Sequence, residues 1–279
     1  MKKFVYKFSF RLLITVFIFC FATSLSAQKR KLLWSDEFNY TGLPNSRKWS
    51  YEIGHVRNYE KQYYTRARKE NARVENGCLI IEGRKEIFVN TAYDASRTNW
   101  KFTDSLAAYT SASIKTLYKK YFQYGRIEVK AKLPKGLGIW PAIWMLGKNS
   151  LTTGWPWCGE IDIMEFVGHD STHIHGTLHY PVDTAGKLVS SGNKIQTKDP
   201  YNNFHVYAIE WTQQKIDFYF DDSLYHSFKI SNATFNKRNP FRKPFYLIIN
   251  LALGGSWGGT IDNKILPQQF LVDYVRVYR

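Results

Sequence analysis

The sequence predicts an all-β fold, a sandwich or jelly roll of short strands around one large core. Three observations predict it. The dominant hydrophobic period is two, not 3.6. Strand-like runs recur along the chain with no convincing long amphipathic helix between them. Aromatic residues make up 17% of the chain, with 9 Trp, so the core can be filled and rings remain for a binding surface.

The N-terminal segment stands apart from that fold. MKKFVYKFSFR is basic, LLITVFIFCFA is apolar, and TSLSAQ offers small residues for cleavage near Ala27. Residues 1–27 therefore read as a signal peptide, and the apolar run is too short for a confident membrane span. Cys20 follows Phe-Ile-Phe rather than small residues, which argues against lipid attachment. The expected product is exported, has no stable membrane anchor, is monomeric, and comprises a single domain over 28–279.

The strands follow in order. CLIIEGRKE (78–86) and YTSASIKTL (109–117) read as strands. In RIEVKAK (126–132), Ile127, Val129 and Ala131 share one face, while Arg126, Glu128, Lys130 and Lys132 share the other. HVYAIEW and KIDFYFDD form a hairpin around Gln213-Gln214, and PFYLIINLALGG (244–255) and QFLVDYVRVYR (269–279) complete the set. Two stretches, roughly 87–108 and 181–204, lack strand pattern and are expected as loops rimming a cleft.

Removing residues 1–27 takes away Lys2, Lys3, Lys7 and Arg11 and no acid, so the net charge falls from +16 to +12. A basic surface favours polyanions. No Lys/Arg block or nucleic-acid motif appears, so nucleic acid is not an expected partner. There is no zinc-ligand spacing and no Ser-centred nucleophile elbow. Cys78 and Cys158 are too few and too far apart in sequence to establish a disulfide.

The chemistry concentrates in G-E-I-D-I-M-E (159–165). On a regular strand Glu160, Asp162 and Met164 would share a face, and Glu165 would fall among core residues beside Ile161 and Ile163, which is costly. A β-bulge at Ile163-Met164 flips the parity, returns Glu165 to the face of Glu160 and Asp162, and packs Met164 inward. Crowded carboxylates repel one another, which raises at least one pKa into the range of a general acid. A retaining glycosidase holds its two carboxyl groups about 5–5.5 Å apart. Along a straight bulged strand the outer pair would be roughly 13 Å apart at the backbone, so the strand must curve concavely. A calcium site or a solvated acidic face is the bland alternative, but calcium loops set their ligands among Gly and polar residues rather than Ile and Met.

This segment resembles the active-site motif of glycoside hydrolase family 16 in its bulged E-x-D-x-x-E form, as in laminarinases, agarases and carrageenases. The resemblance extends through W-S-D-E-F (34–38), R-N-Y-E-K-Q-Y-Y-T (57–65), Y-G-R-I-E-V-K-A-K-L-P (124–134), G-I-W-P-A-I-W-M-L-G (138–147), H-G-T-L-H-Y (175–180), N-L-A-L-G-G-S-W-G-G (250–259) and F-L-V-D-Y-V-R-V-Y (270–278). It implies a β-jelly roll of two curved antiparallel sheets, with the concave one forming a sugar groove. It implies Glu160 as nucleophile, Glu165 as acid/base and Asp162 as helper in a retaining endo-β-1,3-glucanase that needs no catalytic cofactor. Mixed-linkage glucanase and agarase- or carrageenase-like galactanase are the alternatives, and a non-catalytic glucan-binding module is disfavoured because all three acids are present. The substrate partner is a polysaccharide.

Trp140 and Trp144, four apart, are candidates for stacking on sugar C–H faces. His179 resembles a family histidine near the acids, and His175 shares its strand parity. Asn58 and Glu60 match the family's N-x-E-x-Q segment, with Lys61 standing where Leu is usual. Trp257, in a Gly-rich loop, is a further stacking candidate. Asp273 shares strand parity with Leu271, Val275 and Val277, so an inward Asp needs a partner. The resemblance implies a structural calcium held by Glu37, the Gly77 carbonyl and Asp273; an ion pair to Arg or Lys is the alternative.

Overall fold

The computed structural model describes residues 30–183 and 185–279. The signal-peptide reading of residues 1–27 lies outside them. Residues Lys31–Arg279 form one compact unit built on two sheets.

The larger sheet has ten strands. Its path runs Ser223–Lys229, Lys215–Phe220, His205–Trp211, Gly125–Lys132, Gln268–Tyr278, Cys78–Val89, Leu106–Ser111 and Gln62–Tyr64, with Leu32–Asp36 and Ala72–Glu75 attached beside it. The smaller sheet has seven strands in the order Leu188–Gln196, His173–Pro181, Glu160–Glu165, Ile139–Gly147, Phe245–Leu253, Ser113–Lys115 and Ser50–Tyr51. Nearly every pairing is antiparallel; Gln62–Tyr64 with Leu106–Ser111 is parallel. The predicted all-β jelly-roll sandwich is the observed architecture.

Alternation explains how each sheet finds the core. Ile127, Val129 and Ala131 are fully buried between the sheets. Across from them, Ile139, Ile143 and Met145 point inward from the smaller sheet, and Ile161, Ile163, Met164, Phe245, Leu247, Ile249 and Leu251 join the same cluster. The opposite face of the Ile139–Gly147 strand carries Trp140, Ala142 and Trp144, which belong to separate apolar clusters outside the core. Pro141 does not break this strand: register with Phe245–Leu253 is continuous from Ile139 to Gly147, so both tryptophans keep one face.

The hairpin predicted at Gln213-Gln214 forms. Its weak turn residues are compensated by Thr212, whose hydroxyl accepts from the backbone N–H groups of Gln214 and Lys215. Three other expectations need correction. The run 109–117 is two strands, Leu106–Ser111 and Ser113–Lys115, which pair in different sheets as the chain crosses at Ala112. The stretch 87–108 begins as the end of the Cys78–Val89 strand and holds a helical turn at Trp100–Thr103. The stretch 181–204 contains the nine-residue edge strand Leu188–Gln196, paired residue by residue with His173–Pro181. Val189 and Ile195 pack partly against the core from this strand, but Gly and polar residues fill the five positions between them, so no hydrophobic alternation marks it.

Candidate active site

The Glu160–Glu165 strand lies centrally in the smaller sheet, and both neighbours report the same irregularity. Against His173–Pro181, Asp162 pairs with Thr177 and Glu165 with His175, so three steps on one strand match two on the other. Against Ile139–Gly147, Asp162 pairs with Trp144 and Met164 with Ile143, two steps against one. One extra residue therefore sits at Ile163-Met164. Both side chains are fully buried in the core, and Glu165 emerges on the face of Glu160 and Asp162.

These three acids line one cleft with Arg57, Asn58, Glu60, Trp140, Trp144 and Asn250. Glu160 and Glu165 keep part of their surface open; Asp162 between them is buried. Burial, reinforced by the Asp162 carboxylate, pushes Glu160 up to about 8. Burial and then the Glu160 charge push Glu165 up to about 7, against the Trp140 indole, which donates to Glu165 Oε1 at 3.0 Å. Asp162 is raised strongly by burial, then by Glu165. Desolvation and like-charge crowding act together, so the cluster holds protons at neutral pH.

His179 lies opposite Glu160 on the adjacent strand. Its Nε2 is 3.1 Å from Asp162 Oδ2, and its Nδ1 is 2.7 Å from Ser190 Oγ on the edge strand. Glu160, Asp162 and His179 bring donor atoms within 4.8 Å of one another, a group that could hold a metal ion or share protons. His175 lies opposite Glu165 on the same neighbouring strand, but its Nε2 is 3.4 Å from Asp170 Oδ2 and its ring packs edge-on to Trp257 at 5.1 Å.

The two groove tryptophans differ. Trp140 joins the acids directly through Glu165 and meets Trp257 edge-on at 5.4 Å. Trp144 donates to Asn250 Oδ1 at 2.7 Å and carries the Arg57 guanidinium over its ring at 4.7 Å, so this buried residue lines the cleft as a braced wall. Glu60 is buried beneath Asn58 and accepts from Gln62 and Tyr64; Tyr64 in turn receives the Asn250 amide. Burial raises Glu60 and the Arg57 charge opposes the rise. Trp257 does not stand free in its loop: it packs on Trp140, Val167 and Ala252.

Sequence reading passed over Arg57 and Asn250. Arg57 pairs with the carboxylate of Glu52 and roofs Trp144. Asn250 is the one strongly polar side chain in the apolar run PFYLIINLAL, a signal that could have marked it. Neither lies near the acids in sequence, and pairing across strands brings them there.

Glu37, Gly77 and Asp273 do not make the calcium set. Arg276 grips Glu37 with contacts at 2.8–3.2 Å, and Lys130 Nζ lies 2.8 Å from Asp273 Oδ2. Asp273 also does not face inward. Register shifts between Val272 and Tyr274, so Phe270, Val272, Val275 and Val277 are buried while Asp273 turns out. A second bulge removes the need for an ion, and the ion-pair alternative is the observed one. Cys78 and Cys158 are unpaired.

An antiparallel sandwich with paired carboxylates in one cleft has the architecture of a glycoside hydrolase. The family model of glycosyl hydrolases family 16 matches residues 59–276, and this chain belongs to that family. It is similar to the beta-glucanase of Rhodothermus marinus, 44% identical over 89% of this chain and 85% of that protein. The solved laminarinase of Rhodothermus marinus superposes with a TM-score of 0.77, at 44% identity, covering 90% of this chain and 97% of that one. A structure from work on endo-acting O-glycanases, which prominent human gut microbiota express to initiate mucin breakdown, superposes at 0.86. It is 38% identical and covers 91% of this chain and 92% of its own.

Proposed function

We propose that this chain is an exported, retaining endo-β-1,3-glucanase. The observation that carries the reading is the bulge, which sets Glu160, Asp162 and Glu165 on one face of one cleft. In the form with Glu160 ionised and the cluster's proton on Glu165, Glu160 attacks the anomeric carbon and forms a glycosyl-enzyme while Glu165 gives its proton to the departing oxygen. Glu165 then takes a proton from water, whose oxygen bonds to the anomeric carbon as the ester to Glu160 breaks, which releases the sugar and returns Glu160 as a carboxylate. Asp162, beside Glu160 and within reach of His179, orients the nucleophile and shares its proton. The chemistry draws on carboxylates alone, and the glucanase and laminarinase relatives support the linkage. Among the described residues no helix is long and apolar enough to cross a membrane. Export rests on the N-terminal segment.

A second reading, an endo-acting hydrolase of galactose-containing anionic glycans, has one specific observation in its favour. The O-glycanase structure superposes better than the laminarinase despite lower identity, and the basic balance suits anionic chains. Reducing ends released from laminarin, mixed-linkage β-glucan, agarose, carrageenan, keratan sulfate and mucin O-glycans discriminate the two. Laminarin cleavage is expected, and Glu160→Gln should lower it by roughly a thousandfold or more. Cleavage of mucin or keratan chains with none of laminarin overturns the glucanase reading in favour of the second. Full activity in Glu160→Gln removes the nucleophile assignment.

A further inference from the structure

A hollow of about 430 Å³ opens at one end of the smaller sheet, lined by Thr153, Trp157, Pro181, Phe235, Arg238 and Lys243 among others. It shares no residue with the catalytic cleft. Pro181 ends the His173–Pro181 strand, and Pro240 in the hollow's wall lies against Gly159, just before Glu160. The short loop that carries Trp157 stands between the two places, since its Trp155 ring lies 6.4 Å from that of His179.

The hollow is basic without relief. From 223 to 261 the sequence has no Asp or Glu, yet it holds Lys229, Lys237, Arg238, Arg242 and Lys243. No acid lines the hollow. On the larger sheet the rule is the opposite: Arg73, Arg84, Arg126, Lys130 and Arg276 each face a carboxylate. Arg238 and Lys243 are exposed, and among the described residues neither has an acid for a partner.

The walls are braced. Phe235 and Arg238 exchange backbone hydrogen bonds at 2.8 Å across a two-residue turn. Both turn residues, Asn236 and Lys237, have left-handed backbone, φ +45° and +59°, which non-glycine residues adopt at a cost. Asn239, 6% exposed, pins the turn: its amide donates to the Ile230 carbonyl at 2.6 Å and the Thr234 hydroxyl at 2.9 Å, and its Oδ1 accepts from Phe241 N at 3.0 Å. Across the hollow, Trp157 is 38% exposed. Gly186 packs directly on its ring, where a Cβ would lie 2.3 Å from the indole carbons.

An unpaired guanidinium and ammonium beside a partly open indole suit a sugar that carries an oxyanion. The guanidinium fork matches a sulfate or carboxylate, the ammonium adds charge, and the indole takes a C–H face. We propose that this hollow binds an anionic sugar residue, a sulfate ester or a uronate, at a site separate from the cleft, where it holds the glycan on the enzyme without touching the bond that is cut. The site is independent of which linkage the cleft cleaves.

The indole N–H signals of the full chain, labelled with nitrogen-15, test this, with that of Trp157 assigned through Trp157→Phe. Glucose 6-sulfate and glucuronate are titrated, with glucose and sodium sulfate as controls. At least one of the two anionic sugars should move the Trp157 signal and leave those of Trp140 and Trp144 in place, and the one that binds identifies the anion. Arg238→Gln and Lys243→Gln should each weaken that binding by about fivefold to tenfold with the melting temperature unchanged. Movement confined to Trp140 and Trp144, no movement with either anionic sugar, or undiminished binding by both variants overturns the site. An equal response to glucose removes the need for the anion, and an equal response to sodium sulfate removes the sugar; either result overturns the proposal.

Discussion

Glu165 is where residue chemistry is most exposed to measurement. Its carboxyl is pushed up by burial and by the Glu160 charge, while the Trp140 indole, donating at 3.0 Å, favours the ionised form and pulls the pKa back down. As general acid Glu165 must hold its proton, so its deprotonation sets the alkaline limb of the kcat/KM profile. Trp140→Phe keeps an aromatic ring and removes the N–H. The folded pKa of about 7 should then rise, and the alkaline limb should move to higher pH even as the rate falls. The pH dependence of kcat/KM for parent and variant checks this. An alkaline limb that stays put or moves toward acid would show that the indole does not tune the acid. Asp162, raised by burial and then by the Glu165 charge, belongs to the same carboxylate cluster, so the limbs report the cluster rather than one carboxyl.

At the scale of the strand, the site depends on one extra residue. Met164 fills the core behind the acids and is fully buried. Met164→Ala should cost about 2–5 kcal/mol through lost burial and a cavity, read as a fall in the denaturant midpoint. Glu165 should keep its orientation, because backbone pairing on both sides fixes the bulge. A variant as stable as the parent would refute the core role of Met164, and one that is stable but inactive would place Met164 in the chemistry. This bulge was legible because parity left a carboxylate among isoleucines, and burying it bare is too costly to accept. The bulge at Val272–Tyr274 gives the same signal at Asp273, yet there an inward acid has two ready partners, an ion or a nearby Arg or Lys, and neither requires a bulge. An ion or a salt bridge can neutralise an inward acid on paper, so the sequence pattern alone does not choose. The edge strand Leu188–Gln196 was illegible for a different reason: between the two residues it packs on the core, Val189 and Ile195, stand only polar residues and Gly, so no hydrophobic period marks it. Arg57 and Asn250 escaped notice because cross-strand neighbours, not sequence neighbours, give them a role.

Across the whole molecule, the cleft is a place where stability is surrendered for chemistry. Glu160 has an ordinary pKa of 4.5 and about 8 when folded, chiefly through burial. Below about pH 4.5 the folded and unfolded chains both carry the proton, and the residue imposes no ionisation penalty. As pH rises, the unfolded chain releases its proton first while the folded chain retains it. Folding is opposed increasingly between about 4.5 and 8, then by a constant amount above. The penalty is on the order of a few kcal/mol. Glu160→Gln removes it while keeping the shape, so the variant should melt several degrees above the parent at pH 8 and close to it at pH 4.5. Calorimetric melts across that range decide the matter. A gap that does not change with pH, or a parent that is the more stable protein at pH 8, would mean the carboxylate is paid for locally, by contacts with its neighbours that the ionised form strengthens. A gap that opens as predicted would place the cost of the active site in the sheet itself, where the large apolar core between the two sheets can carry it.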